Sequence, residues 1–306
     1  IPLNHYLKRT SRSKDLLPLS EPETVVSLSP AGTTQVEGPD RDRAARHLER
    51  LCRHLNIRTR HRLTVEAAIP PHRGLGSGTQ MAVAVAAALR TLHGLPMKTG
   101  DDARLLGRGE RSGIGIASFE KGGLIVDAGR TAEDRQPPVV SRIPFPGDWR
   151  VILILDNNHT GIHGEEELQA FRALPPFPAA SAAEICRRVL MQALPAAIEH
   201  DLEAFGAAIE NIQFQVGSYF APAQGGIFAS KGVERVARRL AEAGAAGIGQ
   251  SSWGPTGFAF APSEETAMDF VSAAQDVAEP GIEMRIVQGR NTGAEVNRRS
   301  LGLLGS

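Results

Sequence analysis

A strand, a glycine-rich turn and an apolar helix follow one another between residues 62 and 90, and this unit limits the folds open to the chain. Arg62-Leu63-Thr64-Val65-Glu66-Ala67-Ala68-Ile69 alternates with the period of two that a half-buried strand requires. Pro70-Pro71-His72-Arg73-Gly74-Leu75-Gly76-Ser77-Gly78-Thr79-Gln80 then turns the chain. The stretch from Met81 to Arg90 is apolar on almost every face, which predicts a buried helix. Glycine lets the backbone approach a ligand closely and adopt positive φ. The first N–H groups of the helix point into the turn, with the positive end of the helix dipole behind them. Gly74, Leu75, Gly76, Ser77, Gly78 and Thr79 are therefore expected to cradle phosphate. Ser77 and Thr79 would equally serve as a helix N-cap. The turn lacks the Gly-Lys-Ser/Thr ending of a Walker A loop, and its Gly-x-Gly-x-Gly spacing is not the dinucleotide pattern.

The 306 residues are enough for two domains, and the expected division is 1–160 and 161–306. Acidic and basic residues balance at 34 each, which gives no general attraction to nucleic acid or to a membrane. No apolar run reaches the ~18 residues of a membrane span. The opening residues do not read as a secretory signal, so a cytoplasmic location is expected. Cys52 and Cys186 lack partner spacing and read as buried thiols in a reducing compartment.

Residues 1–20 are basic at first and show no period, so an irregular arm is expected there, with order beginning near Thr24. Residues 40–54 read as an amphipathic helix with Ala44, Leu48 and Leu51 on one face. A short helix is expected over 101–107. A second glycine-rich segment, 109–123, carries Glu110, Arg111, Glu120 and Lys121 and leads into the strand Leu124-Ile125-Val126-Asp127. Further strands are expected at 138–143 and 149–155, the latter a continuous apolar run. Helical patterns follow at 163–167, 182–199, 202–216, 232–243 and 264–275, and a strand at 283–287. A third glycine-rich segment, Gly247-Ile248-Gly249-Gln250-Ser251-Ser252-Trp253-Gly254-Pro255-Thr256-Gly257, lies between the last two helices.

Gly74-Leu75-Gly76-Ser77, led by Pro70 or Pro71, resembles the phosphate loop of the GHMP kinase superfamily. The third glycine segment resembles that superfamily's glycine-rich return beside the loop. The implied fold is a two-domain α+β one: an N-terminal mixed α/β domain with the phosphate loop, and a C-terminal ferredoxin-like α+β domain. Four segments look more specifically like the β-ribofuranosylaminobenzene 5′-phosphate synthases of that superfamily. They are Glu110-Arg111-Ser112-Gly113-Ile114-Gly115-Ile116, Gly122-Gly123-Leu124-Ile125-Val126-Asp127-Ala128-Gly129, His163-Gly164-Glu165-Glu166-Glu167 and Gly249-Gln250-Ser251-Ser252-Trp253-Gly254-Pro255-Thr256. The opening strand of those synthases has no counterpart in residues 1–20. Kinases of the superfamily commonly carry an aspartate where this chain has Gly115, and glycine cannot take a proton.

The resemblance implies condensation of 4-aminobenzoate, or a close analogue, with 5-phosphoribosyl 1-pyrophosphate. Pyrophosphate and carbon dioxide would be released, in tetrahydromethanopterin biosynthesis. An ATP-dependent small-molecule kinase of the same fold is the alternative. Small molecules are then the expected partners, without nucleic acid or membrane, and any oligomer is expected to be a homodimer. Glu110, Arg111 and Asp127 are the candidate catalytic residues. Arg73 and Lys121 are candidate phosphate or carboxylate ligands, arginine as a fork and lysine as a point charge. Ser251 and Ser252 could bond phosphate, and the Trp253 indole could stack on the benzoate ring. Mg²⁺ is expected between Thr79 or Ser77 and Glu110, with no organic cofactor. A rival donor site is the turn after residue 155, where Asp156 precedes Thr160-Gly161 as in ordinary phosphoribosyltransferases.

Overall fold

The structure is a computed structural model that describes residues 14–109, 112–129, 137–159, 161, 169, 172–252 and 254–298. The first half contains β1 (Lys14–Leu16), β2 (Val25–Ala31), β3 (Gln35–Glu37), α1 (Arg41–His54), β4 (Arg60–Ala67) and α2 (Ser77–Leu92). It continues with α3 (Thr99–Leu105), α4 (Ile114–Lys121), β5 (Leu124–Asp127) and β6 (Val139–Ile143). The second half contains β7 (Arg150–Asp156), α5 (Ala179–Arg188), α6 (Leu194–Glu199), α7 (Leu202–Gln224) and α8 (Lys231–Glu242). It closes with β8 (Ala246–Gln250), β9 (Gly257–Ala261), α9 (Glu264–Ala274) and β10 (Ile282–Gln288).

The second half is built on an antiparallel sheet in the order β10-β7-β9-β8. Strand, helices, hairpin, helix and strand in that order make a split βαβ, ferredoxin-like arrangement. Strand β7 lies before residue 160, yet it pairs with β9 and β10 of the second half. Its apolar run reflects burial on both faces. Val151, Leu153 and Leu155 pack with Phe205, Ile209 and Ile212 of α7, while Ile152 and Ile154 pack with Val233, Val236 and Leu240 of α8. Each such fully buried side chain contributes roughly 1.5–3 kcal/mol. An apolar run announces a buried strand without saying which sheet it joins.

Two three-stranded sheets form the first half. In β2-β4-β3, β3 runs parallel to β4 and β2 antiparallel; in β1-β5-β6 both pairings are antiparallel. Leu63 and Val65 of β4 share a core with Ala44, Leu48 and Leu51 of α1 and with Met81, Val85 and Leu89 of α2. Three expectations need correction. Residues 14–20 are not irregular: β1 pairs with β5, Leu17 is buried, and Ser20 N donates to Gln288 O at 2.8 Å. The second glycine segment supplies α4, in which Gly115 is the one internal glycine. The helix expected over 182–199 contains a π-helical stretch, Val189–Ala193, immediately before Pro195. Proline removes a donor and crowds the preceding turn, and the wider π turn accommodates it. Cys186 is exposed, not buried. Residues 1–13 and the helix expected at 163–167 lie outside the described residues.

Helices α2 and α3 are tied by a buried ion pair, Arg90 with Asp102, whose side chains are 6% and 3% exposed. Arg90 Nη2 donates to Asp102 Oδ1 at 2.7 Å, and Nη1 donates to the Pro96 carbonyl at 2.9 Å. Asp102→Ala strands a buried guanidinium, and the expected loss is about 3–5 kcal/mol. A fall of the urea unfolding midpoint at constant slope is the measurement that checks it.

Candidate functional site

The turn between β4 and α2 is held in a backbone shape that few residues tolerate. His72, Gly74 and Gly76 have φ of 57°, 77° and 76°. Two other turns clamp it. On one side Gly161 N donates to His72 O at 3.1 Å, and the Arg73 guanidinium donates to His159 O at 2.7 Å and to Asn157 O at 3.4 Å. On the other side Ser251 Oγ donates to Gly74 O at 2.8 Å. A Cβ on Gly74 would lie 2.1 Å from the Ser251 carbonyl oxygen, and one on Gly254 would lie 2.3 Å from the Arg73 carbonyl oxygen. Glycine at 74 and 254 is therefore a condition of contact.

The N-terminus of α2 is left open. Gly76 is its N-cap, and no side chain caps it. Only Thr79 N and Gln80 N turn back to Gly76 O, at 3.1 and 3.2 Å. The capping role considered for Ser77 and Thr79 is thus not what they do: Ser77 is the first helical residue, and the Thr79 methyl packs on Gly115 of α4. Space beyond Gly76 is empty to 4 Å, while a Cβ on Gly78 would meet the Arg108 guanidinium at 2.9 Å. Backbone donors and the helix dipole meet at the open end of α2, with an arginine against Gly78, two residues along the helix, an arrangement that suits a multiply charged anion. Leu75, Gly76 and Gln80 form part of the wall of a cleft of about 1650 Å³, which Gly115, Thr292 and Arg290 also line.

The remaining expected site residues are dispersed. Asp127 is 0% exposed, and its carboxylate accepts from Ser112 Oγ at 2.8 Å, Gly113 N at 3.0 Å and Gly129 N at 2.9 Å. These bonds organise the start of α4. Arg73 spends its guanidinium on loop carbonyls. Lys121 is exposed in the last turn of α4, roughly 9 Å of helix rise from Gly115. Ser251 faces the turn directly, and Ser252 sits beside it with φ 59°. Glu110, Arg111 and Trp253 lie outside the described residues. In the rival donor turn Asp156 is buried and accepts from Ser230 Oγ at 2.6 Å and Asn158 N at 2.8 Å, while Thr160 lies outside the described residues.

Sequence reasoning missed three contributors. Arg108 follows a short helix with no motif around it. Gln80 ends the glycine turn and donates to Gly115 O at 2.8 Å, pinning α4 to α2. Gln250 carries hydrogen bonds described below. Among the described residues, no group of three or more His, Cys, Asp or Glu is arranged to hold a metal, and no helix is long and apolar enough to cross a membrane.

The description "GHMP kinases N terminal domain" matches residues 42–123, and "GHMP kinases C terminal" matches residues 193–279. The chain is 31% identical over 298 residues to a beta-ribofuranosylphenol 5′-phosphate synthase of Methanothermobacter thermautotrophicus, covering 90% of this chain and 88% of that protein. It is 36% identical over 245 residues to the Archaeoglobus fulgidus protein of the same name, covering 74% and 72%. Its fold is that of homoserine kinase from Cytophaga hutchinsonii, with TM-score 0.69, 19% identity and coverage of 94% and 93%. Mevalonate kinase of L. major superposes with TM-score 0.69 at 16% identity, covering 93% and 91%.

Two outcomes are expected. Gly76→Val places side-chain atoms in the open space at the helix terminus and forces a β-branched residue to positive φ. Binding of inorganic pyrophosphate, read by calorimetry, is abolished, and the backbone strain alone costs about 1–2 kcal/mol in urea unfolding. His47 is held down to about 4, chiefly by burial and then by the charges of Arg108, Arg43, Arg46 and Arg50. The unfolded chain therefore binds the extra proton first as pH falls below the ordinary histidine value. Stability is full above that value and drains away as pH drops toward about 4. His47→Gln is expected to flatten this slope, measured as urea midpoints across the same pH window.

Proposed function

The chain belongs to the beta-ribofuranosylphenol 5′-phosphate synthase family, on the GHMP kinase fold, and on that premise we propose that it transfers phosphoribose to a benzoate ring with loss of the carboxyl group. The donor is 5-phosphoribosyl 1-pyrophosphate, and the acceptor is 4-aminobenzoate or its 4-hydroxy analogue. The products are an aryl riboside 5′-phosphate, pyrophosphate and carbon dioxide, at the entry to tetrahydromethanopterin-type carriers. The observation that carries this reading is the uncapped N-terminus of α2 opening from a glycine turn onto the large cleft. The relatives' name specifies a phenol product, and phenol and aminobenzene differ only in the ring substituent.

The chemistry asks for little beyond charge and placement. The C1–oxygen bond breaks with its electron pair going to pyrophosphate, and an oxocarbenium-like centre forms, as in other glycosyl transfers. The ring carbon that bears the carboxylate bonds to C1. Carbon dioxide then leaves, and its bonding pair restores the aromatic ring. In this reading the first N–H groups of α2 and the Arg108 guanidinium receive the charge building on pyrophosphate. Ser251 keeps the turn in place, and the cleft seats the benzoate.

Magnesium needs only one or two carboxylates beside substrate phosphates, so the lack of a protein cage among the described residues is no obstacle. The Ser77 and Thr79 hydroxyls, next to the helix terminus, and Glu110 are the groups we assign to hold it. Bound there, the ion would offset the charge of the leaving pyrophosphate. The kinase alternative loses ground at Gly115, where a Cβ would lie 2.9 Å from the Thr79 methyl and 3.2 Å from its Cβ. An aspartate there requires the Thr79 side chain to move aside.

The test is an assay with the donor, Mg²⁺ and either carboxyl-labelled 4-aminobenzoate or carboxyl-labelled 4-hydroxybenzoate. Equal yields of labelled carbon dioxide and pyrophosphate are expected with one of the two acids. Neither product from either acid, together with ATP-dependent phosphorylation of a small alcohol, would replace the proposal with a kinase.

A further inference from the structure

The turn that clamps the open end of α2 is itself held by a buried amide side chain. Gln250 ends β8, and its side chain is 8% exposed. Its Oε1 accepts from Ala229 N at 2.6 Å. Its Nε2 donates to the Ser252 carbonyl at 3.0 Å and to Gln224 Oε1 at 3.3 Å. Its backbone N donates to Gln213 Oε1 at 3.0 Å. Gln224 in turn donates to the carbonyls of Gly226 and Ile227, both at 2.9 Å. The amide so bolts the Ser251–Ser252 turn to helix α7 and to the 226–229 turn.

That bolt has a load. Ser252 stands at φ 59°, a left-handed conformation that is unfavourable for a non-glycine residue. Such residues persist where their surroundings over-determine them. The Gln250 bond to the Ser252 carbonyl does that one residue away from Ser251, whose Oγ bonds Gly74 O and whose carbonyl abuts Gly74 Cα. We infer that Gln250 is a positioning residue, which sets the diphosphate-binding geometry of the α2 turn by fixing the Ser251–Gly254 turn against it. The inference rests on the proposed reading of the α2 turn as the place of the donor's pyrophosphate.

Gln250→Met keeps the length of the side chain and removes every amide hydrogen bond. The expected result is a rise of about tenfold in the dissociation constant of inorganic pyrophosphate, read by calorimetry. The KM for the phosphoribosyl donor rises in step. A merely structural role reads differently: it lowers kcat by reducing the folded fraction and leaves KM alone. Should Gln250→Met fail to fold, Gln250→Glu keeps the acceptor for Ala229 N, loses the donors to Ser252 and Gln224, and must weaken pyrophosphate to a similar degree. A folded variant that binds pyrophosphate within about threefold of the unaltered protein overturns the inference. So does an unaltered protein that binds no pyrophosphate. An unaltered protein that binds pyrophosphate yet forms no product sinks the functional proposal alone and leaves the role of Gln250 standing.

Discussion

Backbone meeting backbone across three turns is the constraint on which the rest of this structure depends. The turn after β4 can lie against the turn after β8 only because Gly74 and Gly254 present no Cβ. It can lie against the turn after β7 because Arg73 and the His72 carbonyl supply the bonds. Each turn ends or begins an element whose own position is set by a core: α2 by the β2-β4-β3 sheet, β7 and β8 by the ferredoxin-like sheet. The two halves are thereby registered at the place where α2 opens. The helix terminus can remain without a side-chain cap because its neighbours, and not a cap, fix it.

Packing around this junction favours placement over acid–base chemistry. Asp127 and Asp156 are both buried carboxylates at strand ends, and both spend their oxygens on local donors. Arg73 likewise organises a loop. Among the described residues, the open helix terminus presents backbone N–H groups and the Ser77 and Thr79 hydroxyls, with the Arg108 guanidinium against Gly78. Such a surface matches a leaving group of high negative charge, and a reaction whose acceptor is a ring carbon asks the protein for no base at that atom.

The sequence was legible where a single period or a single residue type decides the local structure. The alternation over 62–69, the apolar helix after it and the double-sided apolar run of β7 all read directly, and the ferredoxin-like order followed from the resemblance. Contacts between distant segments were harder. A segment with five glycines suggests a loop, yet four of them fall outside the interior of α4, and Gly115 is inside because α2 passes so close. The burial of Asp127 depends on Ser112 and Gly113 folding back over it, which no spacing announces. Glutamines 213, 224 and 250 come together only once α7 and β8 pack, since amides carry neither a charge pattern nor an apolar period.

The contact between Thr79 and Gly115 also couples two positions that lie far apart in the chain. A Cβ at 115 would meet the Thr79 methyl at 2.9 Å, so both helices draw on the same small volume. A side chain added at 115 is accommodated only as the Thr79 side chain turns or shrinks. The size of one residue thereby sets what the other may be, and the spacing of α2 and α4 is written jointly by the pair.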